Sequence, residues 1–153
     1  MVSELCFGTM TFGGGAGIWE SIGKTQQKEV NELMKDVVDA GINFIDTANV
    51  YSRGQSEQLL GQSLKDAGLS RNQLVIATKV RGRMGDGRND VGLSRYHIFQ
   101  SVDESLQRLQ MDHIDVLYVH GVDLKTPIEE TMRALNDIVL TGKVRYIAVC
   151  NWP

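Results

Sequence analysis

Residues Leu74–Val80, with the sequence LVIATKV, form a short run that is apolar except for two polar residues near its end. The run is rich in β-branched side chains and is followed by a glycine-rich loop, which is typical of a buried β-strand. After the loop, apolar residues recur at intervals of three and four, as on one face of a helix: Ile98, Val102, Leu106 and Leu109. We therefore predict one strand–loop–helix unit from this segment.

The same unit repeats on both sides of this segment. Four more apolar runs are predicted as strands: Leu5–Thr9, Ile42–Ala48, Ile114–His120 and Val144–Asn151. Three further segments have apolar residues at helical spacing: Val30–Val38, Leu59–Leu64 and Ile128–Val139. Five strands that alternate with four helices indicate parallel strands joined by right-handed crossovers, so the predicted fold class is α/β. An open, doubly wound sheet and a (β/α) barrel both satisfy this pattern.

Helix ends are marked by residues with special backbone preferences. Gly41 and Gly142 follow the first and fourth predicted helices, where a glycine commonly ends a helix. Thr126 and Pro127 precede the fourth helix, and Glu129 follows them. This order predicts Thr126 as the N-cap, Pro127 as the first helical residue and Glu129 as the partner in a capping box.

The composition excludes several classes of protein. The chain has 153 residues, with 16 Lys+Arg and 19 Asp+Glu, and its formal net charge is −3. We expect one soluble domain over residues 1–153. A mildly acidic chain without a basic stripe argues against nucleic acid as a partner. No apolar run approaches the ~20 residues of a membrane helix. The stretch Met1–Glu4 has neither the basic head nor the apolar run of a secretory signal, so we expect none. Cys6 and Cys150 have no CxxC spacing, so we expect a cytoplasmic location.

Polar residues stand at or near the ends of four predicted strands. They are Asp46, Lys79, His120 and Asn151, separated by 33, 41 and 31 residues, which is roughly one strand–helix unit each time. The carboxyl ends of parallel strands lie on one face of an α/β protein, and catalytic sites are built there. We therefore expect these four side chains to converge.

Lys79 carries the chemical hypothesis. A lysine among apolar strand neighbours loses hydration at a large cost unless a charge partner compensates it, and Asp46 on the preceding strand is that partner. A strand-end lysine can also extend its ammonium group into solvent. Tyr51 follows Asp46 closely in the chain, and a lysine held beside its phenol would favour the phenolate. His120 beside these groups is a candidate hydrogen-bond donor to a substrate oxygen.

Other polar and glycine-rich segments give weaker signals. In the stretch Gly8–Gly17, neither a phosphate loop nor a GxGxxG pattern is complete, so a flexible loop and the close approach of a ligand are both open. We interpret Arg81–Arg88 as a mobile, solvated loop between a strand and a helix, and the alternative is that it borders a substrate mouth. His97 and His113 are predicted to be surface residues, and their spacing favours no metal site.

Several motifs resemble those of the aldo-keto reductases, in that family's order along essentially the whole chain. The N-terminal motifs are Gly8–Gly13, Asn43–Tyr51, Ala77–Lys79 and Tyr118–His120. The motifs similar to the bacterial and fungal branch are Gly92–Arg95, Ser105–Gln110, Thr126–Met132, Gly142–Ile147 and Cys150–Trp152.

This resemblance implies a (β/α)₈ TIM barrel that uses NADPH to reduce aldehydes and ketones, without a metal. Tyr51 would be the general acid, Lys79 would favour its phenolate, Asp46 would hold Lys79, and His120 would orient the carbonyl. The implied cofactor contacts are Gly8, Thr9, Met10, Asp46, Cys150 and Asn151, with Asn151 on the nicotinamide carboxamide and Cys150 where the family usually has serine.

The match covers about five of the eight strand–helix units of such a barrel, so we expect an incomplete one, lacking the strands that carry the family's pyrophosphate and adenine contacts. We expect residues 1–153 alone to bind NADPH poorly, to turn over little and to self-associate through open sheet edges. Two alternatives stay open: a non-catalytic binding module, as in the β subunits of voltage-gated potassium channels, and an inactive reductase remnant.

Overall fold

The computed structural model describes residues 1–152, and Pro153, the last residue of the predicted domain, lies outside them. The described residues contain five strands: β1 (Cys6–Gly8), β2 (Phe44–Asp46), β3 (Val75–Val80), β4 (Ile114–Val119) and β5 (Val144–Val149). They also contain five α-helices: α1 (Ile18–Ile22), α2 (Gln27–Asp39), α3 (Gln55–Asp66), α4 (Arg95–Leu109) and α5 (Ile128–Leu140). Short 3₁₀ turns lie at Tyr51–Gly54 and Arg71–Gln73.

The strands form one parallel sheet in the order β1-β2-β3-β4-β5. A doubly wound sheet reverses its strand order at a switch point, whereas a (β/α) barrel adds each strand next to the previous one. The sequential order decides between the two architectures that the sequence left open. The fold is therefore a partial TIM barrel, with β1 and β5 at the two edges of the described sheet.

The two faces of the sheet differ in chemistry. Ile45, Ile76 and Leu117 are fully or almost fully buried, and they belong to the apolar core that the helices cover. Side chains alternate along a strand, so the neighbouring residues Asp46 and Tyr118 lie on the opposite, concave face. The concave face therefore presents polar groups at the carboxyl ends of the strands, as predicted.

The helix ends follow the local sequence signals at two glycines and depart from them at the start of α5. Gly41 and Gly142 have φ of 81° and 79° after α2 and α5, as predicted. The predicted capping box of α5 is wrong, because Pro127 is the N-cap and makes no side-chain capping bond. The Thr126 hydroxyl donates instead to the Asp123 carboxylate at 2.8 Å, so a loop carboxylate draws it away from the helix.

No helix in the described part of the chain combines the length and the apolar character needed to cross a membrane.

Candidate active site

Lys79 is the centre of a buried polar cluster at the carboxyl ends of β2 and β3. Only 7% of its surface is exposed. Its ammonium group forms an ion pair with the Asp46 carboxylate and donates to the Thr47 carbonyl at 2.8 Å and to the Tyr51 hydroxyl at 3.2 Å. All three N–H donors of the ammonium therefore have acceptors, which accounts for its burial. The structure brings Asp46, Lys79 and Tyr51 together.

A strained turn directs Tyr51 toward this ammonium. Ser52 and Arg53 have positive φ angles of 48° and 54°, and Gly54 follows at 91°. Two consecutive non-glycine residues in this conformation need support from their surroundings. The Ser52 hydroxyl, which donates to the Phe12 carbonyl at 3.0 Å, supplies part of it. The turn fixes the start of α3 and with it the direction of the Tyr51 side chain.

Aromatic rings surround the phenol of Tyr51. The Trp19 ring centroid is 6.0 Å from the Tyr51 centroid, and the His120 ring meets Tyr51 edge-on with a centroid distance of 5.9 Å. Trp19 lies in α1, a five-residue helix that the sequence did not predict. These two rings form an aromatic wall at one end of the polar cluster.

His120 follows β4 and borders the cluster. Burial, together with the nearby Lys79 ammonium, lowers the pKa of His120 below its ordinary value. At neutral pH the ring is therefore uncharged and has one N–H to donate. The structure places this donor beside the Tyr51 ring.

Asn151 and Cys150 lie where β5 ends. The Asn151 side-chain amide donates to the His120 carbonyl at 3.2 Å, and Asn151 itself has a positive φ of 51°. The Cys150 thiol contacts the Val119 carbonyl at 3.6 Å, and burial raises the pKa of this thiol. Asn151 thus lies at the carboxyl ends of the strands, on the side of the polar cluster opposite to β2.

The predicted cofactor contacts at and just after the end of β1 divide into two kinds. Gly8 pairs in register with Asp46, and a Cβ built on Gly8 would meet no atom within 4 Å. Met10 is exposed. Thr9 is buried, and its hydroxyl is in hydrogen-bond contact with the Ser56 hydroxyl at 2.8 Å. Open space therefore lies over Gly8, while the Thr9 hydroxyl is engaged by α3.

A second buried charge cluster was missed by the sequence analysis. Glu57 has no exposed surface, accepts from the Thr78 hydroxyl at 2.6 Å and forms an ion pair with Arg108 at 2.6 Å. Thr78 directly precedes Lys79, and the Arg108 side chain lies against Gly54, since a Cβ on Gly54 would be 2.7 Å from it. This cluster therefore lies on the helix-covered side of the sheet, behind Lys79. Its signal was the helical spacing of Glu57 with Leu60 and Leu64.

The prediction that His97 is a surface residue is wrong, since His97 is buried under the loop that follows β3. Burial lowers its pKa below the ordinary value, although the carboxylates of Asp90 and Glu104 act in the opposite direction. His113 is half-buried, and its ring contacts the Asp112 carboxylate at 2.6 Å. Within residues 1–152, no group of three or more His, Cys, Asp or Glu side chains is arranged to hold a metal ion.

The lowered pKa values of His97 and His120 predict a loss of stability in mild acid. The unfolded chain protonates histidine at its ordinary pKa of 6.5, whereas the folded protein resists protonation at both sites. The unfolded state therefore binds more protons below that pH, and the free energy of unfolding should fall as the pH drops below 6.5. Urea denaturation between neutral pH and pH 5 measures this slope. His97→Gln and His120→Gln should each flatten it, and an unchanged slope in both variants would contradict the assignment.

Comparisons with known proteins identify the family of the chain. The family model described as Aldo/keto reductase family matches residues 4–153. A probable voltage-gated potassium channel subunit beta from Oryza sativa subsp. japonica is 42% identical over 137 residues, covering 89% of this chain and 42% of that protein. Versiconal hemiacetal acetate reductase from Aspergillus parasiticus is 39% identical over 163 residues, covering 95% of this chain and 46% of that protein.

A solved structure also matches the fold. An aldo-keto reductase from Bacillus halodurans, in its holo form, superposes with a TM-score of 0.81 at 34% sequence identity. The match covers 98% of this chain and 46% of that one. The chain spans less than half the length of these relatives. From the family match and the shared fold, we conclude that the chain belongs to the aldo/keto reductase family.

Proposed function

We propose that the protein is an NADPH-dependent oxidoreductase that reduces aldehydes and ketones to alcohols, with Tyr51 as the general acid. The observation that carries this proposal is the Lys79 ammonium, which is shared between the Asp46 carboxylate and the Tyr51 hydroxyl. A buried cation beside a phenol stabilises the negative charge that develops on the phenol oxygen as it gives up its proton.

Each residue of the cluster has a distinct role in this proposal. Asp46 and the Thr47 carbonyl hold the Lys79 ammonium in one position, directed at the phenol. Tyr51 donates its proton to the carbonyl oxygen of the substrate. The neutral His120 ring donates a hydrogen bond that orients the same oxygen. Trp19 shields the reacting groups from bulk water.

The residues at the carboxyl ends of β1 and β5 fit a nicotinamide cofactor. Gly8 leaves open space level with Asp46, and the Asn151 amide lies at the end of β5 next to His120. We assign the nicotinamide end to Gly8, the Thr9 backbone, Met10, Asp46, Cys150 and Asn151. When bound, the reduced nicotinamide supplies a hydride to the carbonyl carbon. The choice of NADP over NAD follows the family resemblance.

A substitution at Gly8 tests this assignment. Gly8→Val should leave the stability unchanged, because the added atoms enter open space on a strand that tolerates valine. It should raise the Kd for NADPH at least about tenfold by filling the space that the cofactor needs. The control is Cys6→Val, on the same face of β1 but away from the strand's carboxyl end. Fluorescence titration of the full-length protein with NADPH measures the Kd of both variants, and equal Kd values would refute the assignment.

A non-catalytic role is the second candidate function. Relatives from Oryza sativa and Arabidopsis thaliana, 42% and 40% identical, are described as probable voltage-gated potassium channel subunits beta. On this alternative the chain would bind a protein partner and its polar cluster would be dispensable. The Tyr51 substitution argued in the Discussion separates the two functions.

The open sheet edges support a proposal about residues 1–153 as an isolated polypeptide. Backbone N–H and C=O groups on the outer sides of β1 and β5 have no strand partner within the described chain. We expect the isolated polypeptide to self-associate through these edges and to bind NADPH weakly. Light scattering that shows a monomer at high concentration, or tight NADPH binding, would contradict this.

The two cysteines are unpaired in the structure, which suits the proposed cytoplasmic location.

A further inference from the structure

A basic cleft lies beside the polar cluster and is not used by the proposed reaction steps. It has a volume of about 740 Å³ and runs between the loop after β3 and the loop after β4. Four of the residues that line it are cationic: Arg81, Arg83, Arg88 and Lys125. Val91 and Leu124 add exposed apolar surface at its edge.

The four cations are not neutralised by the protein. Within the described residues, none of them forms an ion pair with a carboxylate. The acidic group that lines the cleft, Asp123, is already engaged. It accepts from the Leu93 amide at 2.7 Å and the Lys125 amide at 2.9 Å, besides the Thr126 hydroxyl. The residues that line the cleft therefore carry four positive charges against the one negative charge of Asp123.

Two of the guanidinium groups are held in place by carbonyl oxygens. Arg83 donates to the Gly85 and Gly87 carbonyls at 3.0 and 2.9 Å. Arg81 donates through Nε to the Val122 carbonyl at 2.8 Å. A carbonyl orients a guanidinium without cancelling its charge, and it leaves other N–H groups free for an anion. The loop that we interpreted from sequence as mobile and solvated therefore presents positioned cations.

The cleft adjoins the group that would bind the substrate carbonyl. Gly121 directly follows His120, and the Arg81 side chain lies 3.6 Å from where a Cβ on Gly121 would be. Arg81 also acts on the His120 ring through its charge. A small molecule with its carbonyl at His120 would thus reach the cleft with its other end.

We propose that this cleft binds an oxyanion, a carboxylate or a phosphate, on the carbonyl substrate, so that the preferred substrates are anionic aldehydes or ketones. The proposal rests on the proposed reductase function for the identity of the substrate. The existence of an anion site does not depend on it, because bidentate N–H donors and unpaired cations select oxyanions by themselves.

The first test measures binding without turnover. Inorganic phosphate is titrated into the full-length protein, and the NMR chemical shifts of the Gly92 and Lys125 backbone amides are followed. We expect saturable shifts, and an affinity at least about tenfold lower in the Arg88→Gln/Lys125→Gln variant, because two charged hydrogen-bond donors are lost. The control Lys35→Gln removes an exposed cation on α2 and should keep the affinity. The absence of shifts, or equal affinities, would overturn the proposal.

The second test compares 4-carboxybenzaldehyde with benzaldehyde as substrates. The ratio of their kcat/KM values should fall about tenfold in Arg88→Gln/Lys125→Gln and stay unchanged in Lys35→Gln. An unchanged ratio in the double variant overturns the substrate class and leaves the reductase function standing. An equal loss for both aldehydes with a higher Kd for NADPH would mean that the cleft holds cofactor phosphates, which also overturns it. Phosphate binding without reduction of either aldehyde refutes the proposed function and leaves the anion site.

Discussion

Tyr51→Phe should lower the rate of carbonyl reduction by about 10²- to 10⁴-fold, the range that a positioned general acid contributes. Phenylalanine keeps the ring that Trp19 and His120 contact and removes only the hydroxyl oxygen, which accepts from Lys79 at 3.2 Å. Lys79 retains Asp46 and the Thr47 carbonyl as partners. We therefore expect the fold and the Kd for NADPH to stay unchanged while turnover is lost.

The matched control is Tyr118→Phe. Tyr118 lies on β4 in register with Lys79, and the Lys79 ammonium is 5.9 Å from its ring centroid. Burial raises the pKa of Tyr118, so its proton is less available than that of an ordinary phenol. Its loss should change kcat by no more than about twofold, since no chemical role is assigned to it. If Tyr51→Phe retained full activity, the general-acid assignment would be wrong. If wild type and Tyr51→Phe bound a protein partner equally well and neither reduced aldehydes or ketones, the channel-subunit alternative would be favoured.

The meeting of Asp46 and Lys79 could be predicted because simple patterns in the sequence mark the ends of the strands. Asp46, Lys79 and His120 each stand at or near the end of an apolar run, and parallel strands bring such positions to one face. The ion pair between Asp46 and Lys79 then follows from the high cost of burying a lone ammonium. The sequence left open whether the sheet was doubly wound or barrel-like, because strand order depends on contacts between elements that periodicity does not encode.

Features that depend on several distant segments escaped prediction. The turn after Tyr51 needs Ser52 and Arg53 in a conformation that their side chains alone disfavour, and Phe12 and Arg108 stabilise it from other parts of the chain. His97 is buried by a loop whose course is not evident from the polar residues within it. The failure at Thr126, by contrast, is local: its hydroxyl donates to the Asp123 carboxylate three residues earlier, and Pro127 is the N-cap of α5.

Glu57→Ala should destabilise the protein by about 3–5 kcal/mol, because it leaves one member of a buried ion pair without its partner. The carboxylate has no exposed surface, and the Arg108 side chain that faces it is 15% exposed. The substitution also removes the acceptor of the Thr78 hydroxyl, next to Lys79 in β3. Urea denaturation measures the change in the free energy of unfolding.

The control is Glu104→Ala, which removes the other carboxylate near Arg108. Glu104 is 3.6 Å from the guanidinium, and its side chain is 36% exposed, so its loss should cost less than about 1 kcal/mol. Similar losses in both variants would mean that burial does not strengthen the Glu57 pair. If Glu57→Ala fails to fold, Glu57→Gln replaces it, with an expected loss of about 1–3 kcal/mol. Adding Arg108→Met to Glu57→Gln should recover part of that loss, because it removes a cation that has lost its buried carboxylate partner and keeps the apolar stem that packs against Gly54.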